Sequence, residues 1–302
     1  MATFEEITRL APWFFPVLST LLGACVGSFL NVCIYRIPQG ESIIRPGSHC
    51  ACGQPISWRD NIPVLSWLLL RGRARCCGRS FSGRYPAVEL LTAALFLLSW
   101  SQFTPGKAVA GMVLCSIVVC ALFIDLDHMI IPDVFTIGGA AAAILLSLLL
   151  PALHGQTHEI FMIASIRAAK EAVIGLFVGS ALILWIALFA EAILKKEAMG
   201  FGDVKYLGTL GAFVGWKGAV FGLFGGAVLG CFWYVAGLGW KKATGREAAV
   251  ALPAETPDGE AAEPGLGVHV PFGPMLGVAA LLYFFGLNRW VDAYFDSLVV
   301  LF

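Results

Sequence analysis

Three aspartates lie close together at the end of a long apolar run in this sequence. Residues 123–133 read FIDLDHMIIPD and contain Asp125, Asp127 and Asp133. A carboxyl group at the edge of an apolar segment is costly to place, so it is a candidate functional group. Asp125 and Asp127 lie about 200° apart around a helix, and a regular helix can therefore present only one of them to a given partner. Pro132 favours the first turn of a helix, which places Asp133 at a helix amino terminus.

A fourth aspartate, Asp203, follows two glycines in the stretch GFGDVK (200–205). Gly200 and Gly202 permit unusual backbone dihedrals and a close approach between backbones, and Lys205 follows nearby. Two carboxyl groups that meet in a partly dry cleft do not both ionise readily, so one of them keeps its proton. Such a pair supplies the general base and the general acid needed for attack of water on a peptide carbonyl.

Simpler roles compete with catalysis at these positions. Asp125, Asp127 and Asp133 could form a solvated turn at a membrane surface, with Asp133 capping a helix. Asp203 could be a helix amino-terminal charge that the helix dipole favours, and Lys205 an ordinary interfacial lysine. In a chain with 34 glycines, the Gly-x-Gly-Asp pattern alone is a weak signal.

Four of the nine cysteines form two close pairs in a hydrophilic stretch. The sequences are Cys50-Ala51-Cys52-Gly53 and Cys76-Cys77-Gly78. In a reducing compartment, four clustered thiolates favour zinc over disulfides. Neither pair has the usual Cys-x-x-Cys spacing, so two interpretations stay open: a zinc site formed by all four cysteines, or four free thiols in a degenerate zinc knuckle.

The helices that carry these groups are predicted to span a membrane. Hydrophobic residues make up 58% of the chain and charged residues only 13%, and the mean hydropathy is +0.81. A soluble domain of this length cannot bury so much apolar surface, so we predict an all-α, polytopic transmembrane bundle. About 20 apolar residues cross a bilayer, and about eight spans are predicted, at residues 12–35, 87–103, 107–126, 132–152, 172–194, 204–216, 218–239 and 270–288. Residues 241–269, which are rich in Ala, Glu, Pro and Gly, are predicted to form a flexible cytoplasmic linker.

The orientation in the membrane follows from the basic residues of the loops. The segment 36–86, called here the cysteine loop, contains eight arginines against only Glu41 and Asp60. It is therefore predicted to be cytoplasmic, which places both termini outside. Counting spans onward brings Asp125 and Asp203 to the same cytoplasmic face. The formal net charge is zero, so no global field favours nucleic acid as a partner.

Five ordered blocks of the sequence resemble the bacterial prepilin peptidases, or type IV leader peptidases, which are membrane aspartic proteases of the Gly-x-Gly-Asp type. The blocks are GSFLNVCIYRIP (27–38), the segment 48–91, FIDLDHMIIPD (123–133), GFGDVK (200–205) and PFGPML (271–276). The resemblance implies that Asp125 and Asp203 are the catalytic pair. We expect Gly200, Gly202, Lys205, Asp127 and Asp133 to support that active site.

The resemblance also implies an activity. Such enzymes cleave the leader of type IV prepilins and type II secretion pseudopilins after a glycine, at the cytoplasmic face of the bacterial inner membrane. Members with a long cysteine-bearing loop typically also methylate the new amino-terminal residue with S-adenosylmethionine. The implied division is a first span (1–35), the cysteine loop (36–86) and a peptidase domain (87–302).

The second cysteine pair departs from the family pattern. The usual sequence is Cys-x-x-Cys-Gly, and here Ala74 takes the first cysteine position, in RARCCG. Either Cys76 substitutes for the missing ligand or the metal is lost, so Cys50, Cys52, Cys76 and Cys77 remain candidate zinc ligands.

Three other functions are compatible with parts of the pattern. A peptidase without methyl transfer would lack the mass gain of one methyl group on its product. A transporter that uses intramembrane carboxylates would place acidic groups near the middle of several spans, whereas the aspartates here lie at one interface. A zinc-loop scaffold for a secretion apparatus would not need Asp125 or Asp203.

Overall fold

The computed structural model describes residues 4–50, 52–195, 199–244 and 271–299, and these residues form helices without a β-strand. The helices are α1 (Phe4–Leu10), α2 (Phe14–Arg36), α3 (Leu65–Leu69), α4 (Arg84–Gln102), α5 (Pro105–His128), α6 (Asp133–Leu149), α7 (Phe161–Leu194), α8 (Phe201–Thr244), α9 (Gly273–Leu282) and α10 (Asn288–Val299). Two 3₁₀ turns, Trp58–Asn61 and Pro151–His154, and a π-helix, Tyr283–Leu287, complete the described elements. The all-α prediction is confirmed for this part of the chain.

Five helices in the described ranges are long and apolar enough to cross a membrane. They are Phe14–Arg36, Pro105–His128, Phe161–Leu194, Phe201–Gly237 and Gly273–Ser297. The predicted spans 87–103 and 132–152 coincide with α4 and with the shorter α6. Every one of the eight predicted spans therefore overlaps a helix. Of the predicted linker 241–269, residues 245–269 lie outside the described residues.

Helix α8 changes direction at Gly215. This glycine has φ 78° and ψ 172°, which are not helical values. A Cβ on Gly211 would lie 3.0 Å from Cβ of Ala219, and a Cβ on Gly222 would lie 3.3 Å from Cδ1 of Leu207. In each pair one residue precedes Gly215 and the other follows it, and the pair farther from Gly215 along one limb is also farther along the other. The two limbs of α8 therefore run antiparallel, side by side. The boundary between the predicted spans 204–216 and 218–239 lies next to this reversal.

Glycines bring α7 into close contact with the first limb of α8. A Cβ on Gly175 would overlap the carbonyl oxygen of Gly211, and a Cβ on Gly179 would lie 2.5 Å from the carbonyl oxygen of Leu207. Small residues of this kind let membrane helices pack backbone against backbone. Thus α7 fixes the position of the limb that carries Asp203 in its first turn.

The central core lies where α5, the first limb of α8 and α9 meet. Leu114 and Val118 of α5, Leu210 of α8 and Leu276 of α9 are almost completely buried. Asp125 lies at one end of this core, on the last turn of α5.

Two charged side chains fasten the cysteine loop to α2 and α4. Arg36 is 6% exposed and donates hydrogen bonds to the carbonyl oxygens of Ser42 and Pro46, at 3.1 and 2.8 Å. Buried Glu89 of α4 accepts the backbone N–H of Val64 at 2.7 Å. The loop therefore folds back onto the end of the bundle that carries Asp125, where α4 begins.

Candidate active site and cysteine cluster

Asp125 and Asp203 meet at one end of the bundle. Asp125, in the last turn of α5, is 6% exposed, and Asp203, in the first turn of α8, is half-buried. The two carboxyl groups interact electrostatically. Because water only partly reaches this position, the interaction is weakly screened. The arrangement can hold one proton between two carboxylates and leave the other free to act as a base.

The amino end of α9 completes the surroundings of Asp125. The backbone N–H of Gly273, the first residue of α9, lies close to the Asp125 carboxylate. A Cβ at Gly273 would lie only 2.6 Å from Oδ2 of Asp125. Only glycine therefore leaves room for this contact, and the helix dipole of α9 adds partial positive charge beside the carboxylate.

Asp127 lies on the opposite face of α5 from Asp125, as the helical phase predicts. It is exposed and accepts a hydrogen bond from Arg84 Nη1 at 2.8 Å. The Arg84 guanidinium also donates to the carbonyl oxygen of Phe123 at 3.2 Å and lies 4.6 Å above the Phe123 ring. Arg84 is the first residue of α4, so this contact ties the end of the cysteine loop to the turn that carries Asp125.

Asp133 begins α6 and forms an ion pair with Lys205 of α8. Asp133 also accepts a hydrogen bond from the Thr136 hydroxyl at 3.4 Å. The ammonium group of Lys205 lies 5.5 Å from the centre of the Phe201 ring. Lys205 is therefore engaged with Asp133 at the rim, and it links the helix of Asp203 to the start of α6.

The two glycines before Asp203 lie at the start of α8. The carbonyl oxygen of Gly200 accepts the backbone N–H of Asp203 at 3.1 Å. A Cβ on Gly202 would lie 3.7 Å from Cβ of Ile131, in the turn between α5 and α6. Gly202 thus faces the stretch that follows Asp125, in ordinary van der Waals contact.

The four loop cysteines converge on one point. Their sulfur atoms all lie within 4.8 Å of one another. The Sγ–Sγ distances are 3.6 Å for Cys50 and Cys77 and 3.4 Å for Cys52 and Cys76. A tetrahedral zinc site with Zn–S bonds of about 2.3 Å needs sulfur atoms about 3.8 Å apart. The donor set and its spacing therefore fit a metal ion despite the unusual sequence spacing.

Two tight turns present these sulfurs. The antiparallel bridges His49–Pro55 and Arg73–Ser80 enclose them, and each turn contains a glycine with positive φ, Gly53 at 83° and Gly78 at 68°. Hydrogen bonds from the backbone N–H of Cys52 and from neighbouring thiols lower the pKa of Cys50 to about 7. Hydrogen bonds to Cys52 and Cys50 raise the pKa of Cys76 to about 12. Cys50 is thus the first of the two to become a thiolate, the form that binds metal.

Sequence reasoning missed three residues of the site. Gly273 belongs to the block PFGPML, whose sequence indicates no role for this glycine. Arg84 is one of the eight arginines that predict the orientation of the cysteine loop, and that pattern does not link it to Asp127. Tyr206, three residues after Asp203, is completely buried and interacts electrostatically with both aspartates.

An aspartate pair at the end of an apolar helix bundle, with Asp125 buried and Asp203 half-buried, is the arrangement expected of a membrane aspartic peptidase. Two family models match the chain in order. Residues 21–103 match the bacterial peptidase A24 N-terminal domain, and residues 112–235 match the type IV leader peptidase family.

Several curated proteins are similar to this chain. A prepilin leader peptidase/N-methyltransferase of Aeromonas hydrophila is 33% identical over 320 residues, covering 96% of this chain and 98% of that relative. A protein of the same name from Klebsiella pneumoniae is 36% identical, covering 72% and 92%. One from Myxococcus xanthus is 40% identical, covering 72% of this chain and 62% of the relative. No solved structure matches the chain.

The chain belongs to the type IV leader peptidase family. This confirms the resemblance drawn from the five sequence blocks. The names of the relatives contain both the peptidase and the N-methyltransferase activity that the resemblance implied.

Proposed function

We propose that this enzyme cleaves the leader of type IV prepilins and type II secretion pseudopilins and then N-methylates the new amino-terminal residue. The observation that carries the proposal is the meeting of Asp125 and Asp203, from α5 and α8, in a chain of the leader peptidase family. The roles of individual residues below are part of the same proposal.

The peptidase reaction needs one ionised and one protonated carboxyl group. Asp125 lies beside Gly273 at the amino end of α9, and the partial positive charge of a helix amino terminus stabilises a negative charge, so Asp125 is the base and Asp203 carries the proton. Asp125 removes a proton from water while the water oxygen bonds to the carbonyl carbon of the glycine at the cut. Asp203 donates its proton to the carbonyl oxygen.

Collapse of the tetrahedral intermediate breaks the C–N bond. The proton on Asp125 passes to the leaving nitrogen, and Asp203 regains a proton from the intermediate's hydroxyl as the carboxylic acid forms. Both aspartates are then restored. Gly200 and Gly202, together with the pairs Asp127–Arg84 and Asp133–Lys205, hold the helix ends that carry the two carboxyl groups.

The enzyme lies in the bacterial inner membrane, with eight spans and the active site at the cytoplasmic face. The spans are α2, α4, α5, α6, α7, the two limbs of α8, and α9 continued by α10. The reversal at Gly215 supports counting α8 twice. Eight arginines in the cysteine loop favour a cytoplasmic position for it, and Arg84 joins this loop to the aspartate site. The loop (36–86) and the peptidase region (87–302) form two functional units, with 1–35 as the first span.

Cys50, Cys52, Cys76 and Cys77 hold a structural zinc ion. Four sulfur donors within 4.8 Å support this assignment, and a site closed by four protein ligands contributes to folding rather than to chemistry. When bound, zinc fixes the two tight turns of the cysteine loop to each other.

Methyl transfer uses S-adenosylmethionine. This donor would supply an electrophilic methyl group, bound to a sulfonium, to the neutral amine of the new amino terminus. The support for this activity is the name of the relatives, prepilin leader peptidase/N-methyltransferase. The alternative is a leader peptidase that leaves the new amino terminus unmodified.

The decisive experiment incubates the purified full chain with a prepilin, with and without S-adenosylmethionine, and measures product masses. We expect leader loss in both samples and a gain of one methyl group only with the methyl donor. Asp125→Asn and Asp203→Asn should each abolish cleavage while the protein still inserts in the membrane. Asp296→Asn, which alters an exposed aspartate paired with Lys217, is the matched control and should cleave normally. Wild-type cleavage by either active-site variant contradicts the proposed pair.

A further inference from the structure

Tyr206 is a buried polar side chain for which the reaction described above has no role. Its exposed fraction is 0%, and its hydroxyl has no hydrogen-bond partner among the described residues. A buried hydroxyl that lacks a partner destabilises a protein, so such groups are rare and usually have a function or a bound water. A phenylalanine would fill the same apolar volume without that cost.

The position of the hydroxyl relates it to the aspartate pair. Tyr206 follows Asp203 by three residues on α8, a spacing that places both on one face of the helix. Its phenol group interacts electrostatically with Asp125, Asp203 and Cys120. No direct hydrogen bond joins it to either carboxylate.

Two glycines on one face of α9 leave space for the oxygen atoms of Tyr206 and Asp125. A Cβ on Gly277 would lie 2.7 Å from the Tyr206 hydroxyl, and a Cβ on Gly273 would lie 2.6 Å from Oδ2 of Asp125. Residues four apart follow one another along a helix face. Hence α9 lacks side chains at the two positions where the tyrosine and the aspartate need room.

We propose that Tyr206 is a positioning residue of the aspartate pair, and that its hydroxyl donates a hydrogen bond through a buried water to the Asp125 carboxylate. Because the phenol interacts electrostatically with both aspartates, these three groups could supply such a water with the number of polar partners that buried waters typically have. The link fixes the orientation of Asp125 relative to the scissile carbonyl. This inference rests on the proposed function of Asp125 and Asp203.

The test is Tyr206→Phe in the full-length enzyme. We expect kcat for prepilin cleavage to fall about tenfold, with KM and the melting temperature unchanged, because the ring is kept and only the hydroxyl is lost. Tyr283→Phe is the matched control: it removes a buried tyrosine hydroxyl that donates to Asp292 at 2.9 Å, at the opposite end of α9. Rates are expressed per folded molecule, counted by size-exclusion chromatography.

An unchanged kcat in Tyr206→Phe overturns the proposal, and so does an equal fall in Tyr283→Phe. Asp125→Asn and Asp203→Asn, measured in parallel, separate this failure from a failure of the active-site assignment. If both are inactive while Tyr206→Phe cleaves like wild type, only the tyrosine proposal is wrong. If either aspartate variant cleaves normally, the assignment of the pair is wrong, and the tyrosine proposal is overturned with it.

Discussion

The aspartate site and the cysteine cluster bring together residues that are distant in sequence, but they do so in different ways. Asp125 and Asp203 are placed by long helices whose packing continues far from the site, through glycine contacts such as Gly175 with Gly211. The cysteines are placed by two short, exposed turns with little core beneath them. The first site is organised by the helix bundle, whereas we propose that the second is organised by a metal ion bound to its four sulfur atoms.

The strongest test of the bundle-organised site is Gly273→Val. The first side-chain atom would enter the space of Asp125 Oδ2, at 2.6 Å, and would disturb the N–H donor of α9. We expect the rate of prepilin cleavage to fall at least about a hundredfold, which is the size of the loss in other enzymes when one preorganised hydrogen-bond donor is removed. Gly286→Ala is the control, because a Cβ there meets nothing within 4 Å. Comparable losses in both variants would mean that α9 and the π-helix after it are sensitive to substitution in general and that the contact with Asp125 has no special part.

For the cysteine cluster, the corresponding test is Cys52→Ser. Removal of one of four sulfur donors should reduce zinc content about tenfold or more, measured by atomic emission on purified protein, and should speed proteolysis within residues 36–86. Cys25→Ser, an exposed cysteine of α2, is the control. Full zinc content in Cys52→Ser would contradict the four-cysteine site.

A smaller effect is expected at the rim of the aspartate site, where Lys205 pairs with Asp133. Lys205→Met and Asp133→Asn should each slow cleavage by up to about fivefold, the range of a partly exposed ion pair. The double variant should be no slower than either single variant, because both remove the same interaction. Additive losses in prepilin cleavage rates would show that Lys205 and Asp133 act separately.

The smallest effect is expected where the two regions touch, at Arg84. Arg84→Ala removes the bonds to Asp127 and Phe123 and should reduce kcat two- to threefold, since the pair is about one third exposed. Arg75→Ala breaks a pair with Asp60 that lies wholly inside the cysteine loop, and it should leave cleavage unchanged. Equal effects of the two substitutions on cleavage kinetics would mean that the loop has no specific connection to Asp125.

The sequence allowed the proximity of Asp125 and Asp203 to be predicted from helical phase and the order of the spans, and the family resemblance selected these two aspartates as the proposed catalytic pair. Helical phase separates Asp125 from Asp127, and the structure buries the first and exposes the second. The count of spans places Asp203 at the same end as Asp125. The eight apolar segments likewise match helices, because a membrane imposes a length on each segment.

The remaining features depend on contacts between distant segments. Gly273 approaches Asp125, and Gly277 approaches Tyr206, because of how α9 packs against α5 and α8. The periodicity of the sequence does not predict these contacts. The cysteine spacing left the zinc site and the four free thiols as open alternatives because the spacing within each pair does not show how the two pairs approach each other. In the structure, Cys50 lies beside Cys77 and Cys52 beside Cys76. Each turn therefore supplies two of the four clustered sulfur atoms.

The reversal at Gly215 also has a consequence for the surrounding lipid. The limb of residues 201–214 rises only about 21 Å, whereas the hydrocarbon core of a typical bilayer is about 30 Å thick. Such hydrophobic mismatch is relieved by thinning of the bilayer or by water that enters beside the short limb. On the proposed eight-span arrangement, we therefore expect the membrane to be thinned beside this limb, at the end of which Asp203 lies and where a hydrolytic enzyme needs water.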